Sequence, residues 1–175
     1  MKNLFKSVDI ISDLRYHFII MELSIIPITE KNRTVAEKLE IFSAQKGYIE
    51  SVKECLREAD MCGRWRPVGI YEGETMIGFA MYGLFRCYLP FGRLWLDRLL
   101  IDRRFQGKGY GKAAVNALLL RLKIEYPHRK KVFLSVYDGN DAALNLYRKF
   151  GFEMNGEKDI HGENVMIGRL KSFLR

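Results

Sequence analysis

The stretch Arg93-Leu-Trp-Leu-Asp-Arg-Leu-Leu-Ile-Asp-Arg-Arg-Phe-Gln-Gly-Lys-Gly-Tyr-Gly-Lys112, continued by Ala113-Ala-Val-Asn-Ala-Leu-Leu-Leu120, decides the fold. Arg93 to Ile101, apolar from Leu94 on except at Asp97 and Arg98, reads as a buried strand. Tyr110 to Tyr126 carries apolar residues at helical spacing and is ended by Pro127. Between strand and helix lies Gln106-Gly-Lys-Gly-Tyr-Gly111. Glycines let a backbone come close to a bulky anion, and a helix start adds unpaired N–H groups and the positive end of the dipole. The order strand, glycine loop, helix therefore predicts a pyrophosphate cradle, with a plain glycine-rich turn as the competing reading.

Three phosphate motifs can be tested against this loop. A Walker loop needs glycine five residues before Gly111 and Ser or Thr after Lys112, where Gln106 and Ala113 stand. The dinucleotide pattern GxGxxA is met by Gly109, Gly111 and Ala114, but Arg129-Lys130-Lys131 occupies the place of the acidic ribose ligand. The pattern Q/R-x-x-G-x-G/A, with an aliphatic residue five positions ahead, is met by Ile101, Gln106, Gly109 and Gly111.

Charge converges on the same segment. The 175-residue chain has a formal net charge of +8. Basic and acidic residues balance over residues 1–22, 23–92 and 132–175, whereas residues 93–131 hold eleven basic against three acidic, a surplus of eight. A uniformly basic protein suggests nucleic acid; a focused surplus suggests one local polyanion, such as a phosphorylated cofactor, or a solvated basic face.

Outside this segment the pattern is mixed. Strands are read at Leu23 to Ile28, Pro67 to Tyr71, Thr75 to Leu84, Val132 to Tyr137, Phe152 to Glu157 and Asn164 to Leu170. Helices are read at Lys31 to Phe42, Tyr48 to Met61 and Asp141 to Phe150, with Gly151 as a left-handed C-cap. Glu72-Gly73-Glu74 and His161-Gly162 read as hairpin turns. Helices interleaved with strands, some joined by hairpins, predict an α/β (α+β mixed) domain built on a mixed sheet. Residues 1–20 form an N-terminal extension of unknown role; Leu4, Val8 and Ile11 have helical spacing, and Asp9, Asp13 and Arg15 interrupt any signal-like apolar core. Residues 21–175 read as a single domain, long enough to bury roughly 70% of its unfolded surface.

A second motif follows the next strand: Asn140-x-x-Ala143-x-x-Leu146-Tyr147-x-x-x-Gly151-Phe152. With both motifs present in order, the sequence resembles the GNAT superfamily of acetyl-CoA-dependent N-acetyltransferases, over about residues 23–170. The stretches Pro67-Val-Gly-Ile-Tyr71, Gly78-Phe-Ala-Met-Tyr-Gly83, Trp95-Leu-Asp-Arg98 and His161-Gly-Glu-Asn-Val-Met166 are similar to bacterial spermine/spermidine acetyltransferases. The resemblance implies a mostly antiparallel sheet of about six to seven strands with a splayed parallel pair, flanked by about four helices. It implies acetyl-CoA as cofactor, held by Leu99, Leu100, Ile101, Gln106, Gly107, Lys108, Gly109, Tyr110, Gly111, Lys112, Asn140, Ala143, Tyr147 and Lys149.

The same resemblance makes Tyr147 the proton donor to the departing thiolate. Its phenol, with a reference pKa of about 10, suits a thiolate of about 8.5. The apolar stripe Ala143, Leu146, Tyr147 and Phe150 also reads as core packing, and Asn140 also reads as a plain N-cap. Asp97 is costly in an apolar strand unless paired or functional. Alternation places it with Trp95, Leu99 and Ile101. The resemblance implies a base acting directly or through water, and a salt bridge with Arg98 is the other reading. A base is needed because freeing the lone pair of an amine of pKa about 10.4 at pH 7 costs about 4–5 kcal/mol.

The expected acceptor is a polyamine, spermine or spermidine. Glu50, Glu54 and Glu58 share one helical face, which reads either as an acceptor surface or as a solvated face. Glu72, Glu74 and Asp97 are further carboxylate candidates, and Tyr82 and Trp95 are candidates to pack on methylenes or cationic amines. Another amine acetyltransferase and a basic nucleic-acid-binding domain are the rival functions. The expected partners are small amines, with no nucleic acid and no membrane; oligomeric state is open, a homodimer included. Cys55, Cys62 and Cys87 form no CxxC pair and lie outside both motifs, so they read as reduced thiols of a cytoplasmic protein, and neither an acyl-cysteine nor a metal site is expected.

Overall fold

The computed structural model describes residues 22–87 and 92–170. The amphipathic extension read at residues 1–20 lies outside them. Seven strands form one sheet: β1 Leu23–Pro27, β2 Trp65–Glu72, β3 Thr75–Phe85, β4 Arg93–Ile101, β5 Lys131–Val136, β6 Glu153–Lys158 and β7 Asn164–Arg169. Their spatial order is β1-β2-β3-β4-β5-β7-β6. Every pairing is antiparallel except β4 with β5, which is parallel. Among the described residues, four α-helices flank the sheet: α1 Glu30–Ala36, α2 Val52–Met61, α3 Tyr110–Glu125 and α4 Asp141–Arg148. None is long and apolar enough to cross a membrane.

The sheet separates two cores. On one face Ala114, Val115, Leu118, Leu119 and Leu122 of α3 pack on Ile70, Ala80, Leu96 and Leu134. On the other, Val52, Cys55 and Leu56 of α2 pack with Ala36, Phe79, Met81 and Leu100. The strand boundaries read from the sequence hold to within two residues, because turn residues set them. Gly73 and Gly151 both take positive φ, as the hairpin and the C-cap require.

The first two helices are shorter than the sequence predicts. Helix α1 stops at Ala36, and α2 begins only at Val52, where Ser51 and Glu54 close a capping box. Tertiary bonds compete for the intervening backbone. Asp102, 1% exposed, accepts the Glu40 N–H at 3.1 Å, and the Arg103 N–H donates to the Glu40 carbonyl at 2.7 Å. The loop between the helices is thereby pinned over the end of β4.

Strand β4 also departs from simple alternation. Met81 pairs with Arg98 but Tyr82 pairs with Leu96, so Asp97 is the extra residue of a bulge. The bulge corrects the face expected for Asp97. Leu99 and Ile101 pack on the α3 core, whereas Trp95 belongs with Phe133 and Val165 and Leu100 with the α2 core. Asp97 and Arg98 consequently open to the same side of the sheet, between the two cores.

Candidate active site

Strands β4 and β5 pair only at Trp95 and Phe133 among the described residues, and beyond that point they diverge. A cavity of about 270 Å³ opens in the splay. Asp97 to Ile101 of β4, Ser135 and Val136 of β5 with Tyr137 just after it, Gln106, Gly107 and Gly111 of the glycine loop, and Ala143, Leu146 and Tyr147 of α4 with its N-cap Asn140 line it. Glu50, Tyr48 and Gln45 of the α1–α2 loop and Glu163 close the remaining side.

At one end stands the anion cradle. Gly107 and Gly109 take φ of +76° and +88°, and a Cβ at Gly107 would project into open space. Helix α3 begins at Tyr110, and the opening N–H groups of a helix have no partner within it. They lie at the positive end of a 16-residue helix. Lys108 and Lys112 are exposed beside them, with Lys108 Nζ donating to the Arg104 carbonyl at 3.0 Å. Gln106 donates to the Ile101 carbonyl at 2.8 Å and exchanges hydrogen bonds with Gln45, so its side chain braces the loop. Free N–H groups, left-handed glycines and lysines fit a pyrophosphate. Lys149 caps the C-terminus of α4 and is exposed, away from the cavity lining.

The opposite wall is acidic. The Asp97 side chain is 14% exposed and contacts the Arg98 guanidinium. Arg98 Nε lies 2.7 Å from Glu50 Oε2 at an angle that makes an ion pair rather than a hydrogen bond, and its Nη2 lies 3.7 Å from Glu58. Glu163, half-buried, joins the lining. One arginine therefore faces four carboxylates. Burial pushes the Asp97 carboxyl up to about 6; Arg98 opposes the shift, and Glu58, Glu163 and Glu50 add to it. Burial also raises Glu163, reinforced by Asp159. Such a carboxylate is ionised at neutral pH yet is a stronger base than an ordinary aspartate.

Tyr147, 8% exposed, packs on Phe152 with ring centroids 5.7 Å apart. It lines the cavity. Burial and, second, the charge of Asp97 raise its pKa, so it holds its proton at neutral pH. Asn140 caps α4, its side chain accepting the Ala143 N–H at 3.2 Å, and it lines the cavity as well; both readings of this residue coexist.

Other candidates lie elsewhere. Tyr82 is 1% exposed on the α3 side of the sheet and bonds Glu125 and Arg121 at 2.7 Å each, so it is a core tether removed from the cavity. Glu72 accepts from the Tyr110 hydroxyl at 2.6 Å, fixing the start of α3, and Glu74 is exposed in the β2–β3 turn. Glu54 is engaged in the Ser51 capping box and borders a neighbouring groove. Trp95 packs on Phe133 at 5.8 Å and faces a second cavity beyond Asp97. Glu163 and Tyr137 were not singled out from the sequence; only their place in and after motifs, at His161-Gly162-Glu163 and at the end of β5, could have marked them.

Residues 34–152 match the family model described as the acetyltransferase (GNAT) family. The spermine/spermidine N(1)-acetyltransferase of Bacillus subtilis strain 168 is 44% identical over 153 residues, covering 86% of this chain and all of that protein. Among solved structures, the spermidine N-acetyltransferase of Vibrio cholerae, in complex with CoA and spermine, superimposes with a TM-score of 0.65 at 17% identity. That match covers 87% of this chain and 98% of that one. The aminoglycoside acetyltransferase AAC(6')-Ib in complex with coenzyme A gives a TM-score of 0.72 at 20% identity, over 87% and 97%. At these identities the two structures establish a shared fold.

Proposed function

The chain belongs to the GNAT acetyltransferase family, and we propose that it transfers the acetyl group of acetyl-CoA to a primary amine of spermine or spermidine. The observation that carries the choice of acceptor is the acidic wall: Glu50, Glu58, Asp97 and Glu163 around Arg98, inside a chain whose net charge is +8. A basic protein selects a polycation only where local carboxylates overcome its own field. The Bacillus subtilis relative named for spermine and spermidine supports the same acceptor.

Acetyl-CoA, when bound, supplies the acetyl thioester. The glycine loop and the opening N–H groups of α3, with Lys108 and Lys112, would hold the pyrophosphate, and the splayed edge of Leu99 to Ile101 would receive the pantetheine arm. Asp97, at about 6, takes the proton of the acceptor ammonium. Tyr147, proton-bearing, lines the same cavity, and its hydroxyl would protonate the departing sulfur. Transfer is direct, within a ternary complex. Cys55 is buried, its thiol pushed up to about 12, and no cysteine lines the cavity, which leaves no thiolate there to carry the acetyl group.

The basic surplus of residues 93–131 is assigned to the cofactor rather than to nucleic acid. A turnover assay with acetyl-CoA against spermine, spermidine, an aminoglycoside, an amino acid and a peptide amino terminus tests the function. Spermine and spermidine should have the highest kcat/KM. Faster acetylation of any other member at low salt overturns the acceptor assignment and leaves the transferase assignment intact.

A further inference from the structure

Asp97 and Arg98 line two cavities, not one. The second, of about 300 Å³, lies on the far side of the bulge from the cofactor cradle. Its walls are Trp65, Phe85 and Trp95, with Glu58 and Asp159 at its rim and Ile160 in the β6–β7 turn at its edge. Resting on the polyamine reading above, we propose that this second cavity is the subsite for the part of the polyamine beyond the reacting nitrogen: its methylenes lie on the aromatic walls and its next ammonium is held at Glu58 and Asp159. The site thus selects acceptors by the number and spacing of their cations.

The chemistry of the lining fits this occupant. Trp65 and Phe85 stack edge to face with centroids 4.5 Å apart, and Trp95 adds a third ring. Aromatic faces accept methylenes by burial and ammonium groups through the ring quadrupole. The Trp65 indole N–H is already bound to Glu58 Oε1 at 2.9 Å, which fixes the carboxylate and leaves its other oxygen toward Arg98. Asp159 is equally fixed, its Oδ1 accepting the N–H groups of His161 and Glu163 at 2.9 Å each. Both carboxylates are therefore held in place before any ligand arrives, so little ordering entropy remains to be lost on binding.

A different groove, beside the α1–α2 loop, also adjoins the first cavity and contains Glu40, Glu50 and Glu54. Lys46 and Arg103 line it too, Arg103 paired with Glu40 at 2.8 Å, so its described lining carries three carboxylates against two cations, whereas Glu58, Asp97 and Asp159 of the second cavity face one. Among the described residues, the second cavity has only Arg98, already shared among Asp97, Glu50 and Glu58, and His161. This difference decides between the two exits.

The test uses the full chain and a ladder of acceptors: a monoamine, propane-1,3-diamine, spermidine and spermine. Ile160 is 90% exposed, so Ile160→Lys and Ile160→Glu change the charge at the cavity edge without disturbing the core. Asp159→Asn and Glu58→Gln keep the oxygen that each turn or indole bond uses while removing the charge. Ile160→Lys, Asp159→Asn and Glu58→Gln should each lower the ratio of kcat/KM for spermine to that for the monoamine, by about tenfold, the scale of one partly desolvated cation contact. Ile160→Glu should raise that ratio. Equal changes on every acceptor, or a loss of spermine preference in Glu54→Gln instead, would overturn the subsite. If the unaltered protein acetylates the monoamine but no polyamine, the acceptor reading itself has failed, a result distinct from variants that leave polyamine preference in place.

Discussion

Replacing Asp97 by Asn should make the protein more stable and less active at the same time. The folded chain holds this carboxyl at about 6 against a reference of 3.8, chiefly because burial disfavours the charge. At 1.36 kcal/mol per pH unit, keeping it ionised in the fold costs about 3 kcal/mol at neutral pH. The folded carboxyl binds its proton more tightly than the unfolded one. Wild-type stability is therefore undiminished below about pH 4, declines as pH rises to about 6, and stays reduced above that. Asn cannot ionise and shows no such decline, while Arg98 retains Glu50 and Glu58 as partners. Thermal melts of both proteins should coincide near pH 4 and separate by about 6–12 °C at pH 7.5, using 2–4 °C per kcal/mol for a domain of this length. Over the same range the wild-type kcat should rise through about pH 6, and the variant should lack that rise. A variant that melts below wild type at pH 7.5, or a gap independent of pH, would show that Arg98 compensates the buried charge fully and that Asp97 is a structural ion pair.

Tyr147→Phe keeps the ring packed on Phe152 and removes only the hydroxyl, so kcat should fall about 10²-fold with little change in melting temperature. Near-normal kcat under conditions where chemistry is rate-limiting assigns Tyr147 to packing. Gly109→Glu places a side chain and a negative charge at a position with φ of +88° in the cradle, and calorimetry should detect no CoA binding by a chain that circular dichroism shows to be folded. Unchanged affinity removes the cradle from the cofactor site. The KM for spermine should climb more steeply with salt than the KM for a monoamine, since a tetracation meets several carboxylates; parallel salt dependences contradict the acidic wall.

The glycine loop, the second motif and the hairpin turns were legible because each depends on local backbone chemistry: Gly109 must take positive φ, Asn140 must cap, and Gly151 must end its helix. The acidic wall was legible only in part. Glu50, Glu54 and Glu58 share a face in sequence, yet Glu54 is consumed by its cap while Glu50 reaches Arg98, a distinction made by a capping box that Ser51-x-x-Glu54 does announce. Glu163 joins the wall from a turn 113 residues after Glu50, and no local pattern links the two. The face of Asp97 was misread for a related reason. Alternation is a property of one strand, whereas the bulge is a property of the pairing of β4 with β3.

That bulge ties fold to function. In an unbroken strand Asp97 and Arg98 would point to opposite faces, one carboxylate into an apolar core with no cation beside it. The extra residue brings both side chains to one side, so that Arg98 supports a charge the core would otherwise expel while the remaining desolvation keeps the carboxyl basic. It also falls just past Trp95 and Phe133, where β4 and β5 part. Positive backbone dipoles and lysines then lie on one side of Asp97, and aromatic walls with fixed carboxylates on the other. A polyanion and a polycation placed in those two fields attract each other as well as the protein, and they meet only at the bulge. On the proposed function the basic surplus and the acidic wall are two halves of one device: each would charge its own substrate's site, and the strand defect between them would hold the base where the two substrates touch.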